Sequence, residues 1–163
     1  MYKKDKGGFS LIELLVVVAI IGVLSTIVLS AVISAREKAR DVKRKAEISG
    51  IGRLITASCY VPSAGVGEYD VALLVAEFVA AYPQYANYAS QVPKDPSASG
   101  ADSMYLYIVD SNGKCAVYAN LENENEKVTL ANISTATPGG GTGVFTGTTE
   151  GVNGSNKYFQ VSN

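Results

Sequence analysis

Between Leu14 and Ala35 the chain carries no charged side chain. With Phe9–Ile12 in front of it, the apolar segment Phe9–Ile33 exceeds the roughly 20 residues that a helix needs to cross a bilayer. The pattern then changes. Ala35, Ala39, Val42 and Ala46 recur at helical spacing, and every remaining position from Arg36 to Lys45 is charged. This predicts that the helix continues as an amphipathic segment over 36–60 with a narrow apolar stripe. Ile48, Ile51 and Ile55 carry the apolar pattern onto a rotated face. Small residues in the first stripe permit close approach of a neighbouring helix; a charged, solvated linker helix is the alternative. Taken as one helix, Phe9–Cys59 would span roughly 75 Å at 1.5 Å per residue.

Beyond the helix the periodicity shortens. Val61–Gly67, with its proline and glycines, predicts a loop. Val71, Leu74, Val75, Phe78, Val79 and Tyr82 mark a second amphipathic helix, closed by Pro83. Ser103–Val109 alternates, with Met104, Leu106 and Ile108 on one face and Tyr105, Tyr107 and Val109 on the other. Cys115–Leu121 alternates again, and Asn112-Gly113 between the two runs signals a hairpin turn. Lys157–Val161 predicts a further strand, and the Gly/Thr-rich Ala136–Thr149 a loop or a weak strand. The expected fold is α+β: a long N-terminal helix, its first half membrane-spanning (9–35), packed on a small antiparallel sheet in a head over 61–163.

Charge and composition narrow the function. Arg36–Arg53 holds seven Lys/Arg against three Asp/Glu, whereas the chain from Leu54 onward holds four against ten. A basic collar beside an apolar run, followed by an acidic body, describes a membrane-proximal stalk and a solvated head. The acidic body argues against nucleic acid as a partner. Histidine is absent, which removes the commonest general base and transition-metal ligand. With no nucleophile–base pair and no phosphate-binding glycine loop, an enzyme is not expected. The two cysteines, Cys59 and Cys115, suffice for one disulfide in an oxidising compartment; two buried free thiols are the other reading. If paired, they close a loop worth roughly 4 kcal/mol in the chain-entropy picture.

The start of the chain carries the most specific pattern. Met1–Gly8 is short and polar, with Lys3, Lys4 and Lys6 against Asp5. Lysines in front of the span favour an exported C-terminal body, although the basic collar behind it pulls the other way. An ordinary secretory signal has a shorter apolar core followed by small residues, which this segment lacks. Glu13 lies inside the apolar run, where a carboxylate is expensive in lipid and signals a partner or a function. If the chain began at Phe9, the new amine and Glu13 would lie about one helical turn apart, and the carboxylate could neutralise the amine of a neighbouring subunit. The alternative places Glu13 at headgroup level in a solitary anchor.

Gly8-Phe9-Ser10-Leu11-Ile12-Glu13 and the apolar run to Leu24 resemble the N-terminal signal of bacterial type IV prepilins and type II secretion pseudopilins. The resemblance implies cleavage between Gly8 and Phe9 by a prepilin peptidase, leaving Met1–Gly8 as a leader, and N-methylation of Phe9. It implies a role for Glu13 in assembly, and as partners membrane lipid, an inner-membrane assembly platform and identical or related pilin subunits. The implied location is the inner membrane with an exported head, then a periplasmic or surface filament. Many pilins carry a proline where this chain has Ser30. Val92-Pro93-Lys94-Asp95-Pro96 is similar to the head of major pseudopilins, some of which bind calcium in a late loop. Glu122, Glu124 and Glu126, alternating as on a strand, with Asp95, Asp102 and Asp110 earlier, are the candidate oxygen ligands; a solvated acidic face is the alternative. No other cofactor is expected. Asn132-Ile133-Ser134 and Asn153-Gly154-Ser155 fit a glycosylation pattern that arises often by chance. The expected function is a structural filament subunit, and the competing one a membrane-anchored binding or adhesion module that never polymerises.

Overall fold

A computed structural model describes residues 8–89 and 91–163. The chain divides into two compact units with the break between Arg36 and Glu37. Helix α1, Leu11–Ile55, runs through both.

In the first unit the large apolar side chains of α1 are exposed, from Leu11 at 82% to Val32 at 39%. This is the one described helix long and apolar enough to cross a membrane. Three of its hydroxyls bond back to the helix: Ser25 Oγ donates to the Ile21 carbonyl (2.7 Å), Thr26 Oγ1 to Val23 (2.8 Å) and Ser30 Oγ to Ile27 (2.9 Å). Backbone-bonded hydroxyls of this kind are compatible with an apolar surround, where an unpaired polar group costs several kcal/mol.

The second unit is a five-stranded antiparallel sheet with the C-terminal part of α1 on one face. Its strands are β1 (Gly67–Asp70), β2 (Leu106–Val109), β3 (Cys115–Asn120), β4 (Gly143–Thr146) and β5 (Lys157–Ser162), in the spatial order β1-β2-β3-β5-β4. Helix α2, Val71–Ala81, follows β1 directly. Asp70 caps it by accepting the Ala72 amide (2.8 Å) and also takes the amides of Ser103 and Met104, which ties the helix start to the chain entering β2. After Tyr82, a 3-10 turn at Pro83–Tyr85 leads into the short α3, Ala86–Ala89.

The core fixes which face of each element turns inward. Tyr105, Tyr107 and Val109 are buried against α1, whereas Leu106 and Ile108 are half-buried on the opposite face. The inward tyrosines satisfy their hydroxyls at the helix and just beyond its end: Tyr105 donates to Glu47, and Tyr107 to the Tyr60 carbonyl (2.8 Å). Strand β3 is buried along its whole length, because the chain before β4 crosses the other face. There the buried Gln160 accepts from the Thr137 amide (2.9 Å) and donates to the Gly141 carbonyl (2.8 Å). The Asp110 carboxylate receives the amides of Asn112 and Lys114 (both 2.9 Å), and Gly113 at φ 73° closes the β2–β3 hairpin.

Three features differ from the sequence expectation. Helix α1 ends at Ile55 rather than near Cys59, because turns follow and Cys59 at φ 39° takes a left-handed conformation that a helix cannot continue. Gly67, read as the end of the Val61–Gly67 loop, instead opens the edge strand β1, which runs to Asp70. Glu122, Glu124 and Glu126 do not lie on a strand: β3 stops at Asn120, and the two oxygens of Asp41 take the amides of Glu122 (2.9 Å) and Asn123 (2.8 Å), drawing the chain into a turn. The face of α1 turned to the sheet, which the sequence did not assign, lies off the alanine stripe read as an approach for a neighbouring helix. Asp41, Arg44, Ile48 and Gly52 are buried, whereas Val42 is 65% exposed. Gly52 permits the contact, since a Cβ there would lie 2.5 Å from Val161 Cγ1.

Candidate processing and assembly site

Gly8 lies in open space, with nothing within 4 Å of where a Cβ would be, and Phe9 is 86% exposed. The bond between them is therefore accessible. Two residues on, the helix begins with a capping box. Ser10 Oγ accepts the Ile12 amide (3.2 Å), and Glu13 reaches back to accept the Ser10 amide (2.9 Å). The Ser-x-x-Glu spacing produces this arrangement because it satisfies donors that the first helical turn leaves unpaired. A carboxylate here also meets the positive end of the helix dipole. Glu13 thus has a local role in the single chain, and the structure brings it within one turn of Phe9.

The second unit holds a separate ionic cluster that sequence reasoning missed. Arg44 is fully buried. It donates Nε to Asp95 Oδ2 (2.7 Å), Nη2 to Asp95 Oδ1 (2.8 Å) and Nη1 to Asp41 Oδ1 (2.8 Å), and Nη1 lies 2.6 Å from Glu122 Oε1. Arg40 makes a second paired contact with Glu122, and Lys45 pairs with Glu126. Burial opposes the charge on Arg44 more than any other single influence, yet the hydrogen bonds it donates to Asp95, Glu122 and Asp41 outweigh it and raise its pKa. Asp95 is pushed up by burial but held below the usual carboxylate range by Arg44, the Ser97 amide and Asn153. Glu122 is lowered chiefly by its bond to Arg40. The cluster binds two separated segments, the Pro93–Pro96 turn and the chain after β3, to one face of α1.

The candidate calcium ligands are dispersed or engaged. Asp95, Glu122 and Glu126 face cations, Asp110 serves its hairpin, and Asp102 and Glu124 are exposed. Among the described residues no group of three or more His, Cys, Asp or Glu is arranged to hold a metal ion. Cys59 and Cys115 are brought together, with Cα atoms 5.5 Å apart and a disulfide between them. Asn132 is exposed, while the Asn153 side-chain nitrogen donates to Asp95 (3.1 Å) and the Asn120 carbonyl (2.9 Å). The signals that could have found the missed residues were Ser10, three positions before Glu13, and Arg44, three after Asp41 on one helix face.

No curated protein and no solved structure matches the chain. Residues 3–29 match the family described as the prokaryotic N-terminal methylation motif. That match spans the Gly8–Phe9 bond, the Ser10–Glu13 capping box and most of the exposed apolar helix. The chain carries the prepilin-type signal of type IV pilins and pseudopilins, ahead of an α+β head with a pilin-like layout.

Proposed function

We propose that the chain is the precursor of a structural filament subunit. In this reading a prepilin peptidase cuts between Gly8 and Phe9 and Phe9 is N-methylated. The apolar half of α1 anchors the protein in the inner membrane with its head exported. Subunits then leave the membrane through an assembly platform and polymerise by their N-terminal helices with identical or related pilin subunits. The observation that carries the reading is the methylation motif at residues 3–29 placed on an exposed, uninterrupted apolar helix. The same motif argues for a structural role over an enzymatic one. The similarity of Val92–Pro96 to major pseudopilins favours a secretion pseudopilus over a surface pilus.

Glu13 supplies the electrostatic part. Once the Phe9 amide becomes an amine, a positive charge appears at the helix start, and the Glu13 carboxylate of a neighbouring copy can neutralise it. Either charge buried alone is strongly unfavourable, so the pair would set the axial register. Processing is tested by intact-mass analysis after co-expression with a prepilin peptidase. The expected product lacks Met1–Gly8 and carries one added methyl group; an unchanged mass contradicts processing.

A further inference from the structure

The sheet face opposite α1 holds a cleft of about 270 Å³. Three aromatic rings line it. Phe145 and Tyr158 are register partners on β4 and β5, with rings stacked at 5.4 Å and 14°. Tyr118 on β3 lies 6.3 Å from Tyr158, at 57°. The Tyr118 hydroxyl reaches over β2 to donate to Oε2 of Glu68 on the edge strand β1. Burial, then the bond to Glu68, raises the Tyr118 phenol above its ordinary pKa, so it stays a donor. Thr135, Thr148 and Thr149 also line the cleft.

Glu68 is the one carboxylate lining this cleft, and no cationic side chain lines it. Among the described residues Glu68 forms no ion pair, and its Oε1 accepts no hydrogen bond. This contrasts with Glu122 and Glu126, which are both matched by cations. Aromatic faces carry negative electrostatic potential and attract a cation within about 6 Å of the ring centroid. A carboxylate with a free oxygen beside such faces adds a hydrogen-bond acceptor, which favours a cation bearing N–H donors. The volume falls below the roughly 300–1,000 Å³ of drug-sized pockets and suits a group the size of one side chain.

We propose that this cleft receives a primary ammonium group, with Glu68 as its counter-charge and Tyr118 and Tyr158 as its walls. A lysine side chain of another protein and a free alkylamine share that chemistry. The site does not depend on filament assembly, so its failure would leave the proposed function untouched.

The test uses the full chain in nonionic maltoside micelles with ring-labelled tyrosine, titrated with n-butylammonium chloride and followed by NMR. Saturable shifts are expected at Tyr118 and Tyr158, with none from sodium chloride or n-butanol. Binding should weaken by about tenfold or more in Glu68→Gln and in Tyr158→Leu, as loss of a charge partner or an aromatic wall requires. Unchanged Tyr105 and Tyr107 signals establish that each variant keeps its core. Comparable binding of Nα-acetyl-lysine methylamide assigns a protein lysine as the natural occupant; binding of n-butylammonium alone assigns a free amine. No saturation with wild type, equal affinity in Glu68→Gln with its core signals intact, or an equal response to n-butanol overturns the proposal.

Discussion

Replacing Arg44 by Met keeps most of the side-chain volume and removes the charge. The guanidinium now holds Asp95 through two bonds at 2.7 and 2.8 Å and Asp41 at 2.8 Å, all in buried positions. Breaking a buried pair from one side leaves an uncompensated charge and costs about 3–5 kcal/mol, a large share of the roughly 5–15 kcal/mol that holds a domain folded. Arg44→Lys should fall between, because an ammonium keeps the charge but cannot reproduce the planar fork that grips Asp95. The pH dependence follows from the lowered pKa values of Asp95 and Glu122. A carboxylate depressed by folding contributes stability that is present above its unfolded pKa, near 4. That stability is lost as pH falls through the folded value. Without Arg44 the buried carboxylates favour the protonated form, so acid should harm the variant less than the wild type. Urea unfolding of the full chain in maltoside micelles, followed by tyrosine near-UV signal at pH 7 and pH 3, measures both effects. A loss under about 1 kcal/mol at pH 7, below the range for breaking a buried pair, or a gap that does not narrow at pH 3, refutes the account of this cluster.

Two further substitutions test how α1 is fastened. Cys59 and Cys115 are separated by 56 residues, so replacing both by Ser should cost about 4 kcal/mol. Peptide mapping of the exported protein without reductant should find them linked, and two freely alkylated thiols would contradict the pairing. Gly52→Ala should cost about 1–3 kcal/mol by overpacking against Val161, with part recovered in Gly52→Ala/Val161→Ala; a neutral Gly52→Ala would mean that the helix does not approach the sheet so closely.

The long helix, α2, the central hairpin and β5 were legible because each repeats its own period over enough residues to stand out. Strand β1 was hidden because it has four residues, two of them acidic, and its last residue also caps α2. The alternation at Ser103–Val109 revealed two faces but not which one turns inward, since tyrosine is at home on either. The helix face turned to the sheet was hidden for a related reason. Hydrophobic periodicity marks the alanine stripe, whereas Asp41 and Arg44 turn inward because Asp95 and Glu122, some fifty and eighty residues further along, arrive to match them. Charge pairing over such separations leaves no trace in local pattern. At the N-terminus Glu13 was legible as an anomaly in an apolar run, and the Ser10-x-x-Glu13 spacing that signals its capping bond went unread.

The filament reading turns on whether the charge of Glu13 is needed for assembly. Glu13→Gln separates charge from shape: glutamine preserves the capping bond to the Ser10 amide that Glu13 makes at 2.9 Å, while nothing remains to neutralise a neighbour's Phe9 amine. Glu13→Leu removes both, and Glu13→Asp keeps the charge with a shorter reach. All three should insert into the membrane: Gln and Leu lower the cost of burying this position in lipid, and Asp leaves it near that of the wild type. The measurement is the sheared-filament fraction against the membrane fraction for wild type and each variant, with cleavage after Gly8 checked by mass. The account predicts that Glu13→Gln and Glu13→Leu are inserted and cleaved but yield no filaments, with Glu13→Asp intermediate. Wild-type filament yield from Glu13→Gln would show that assembly does not use the charge and would contradict the proposed pairing.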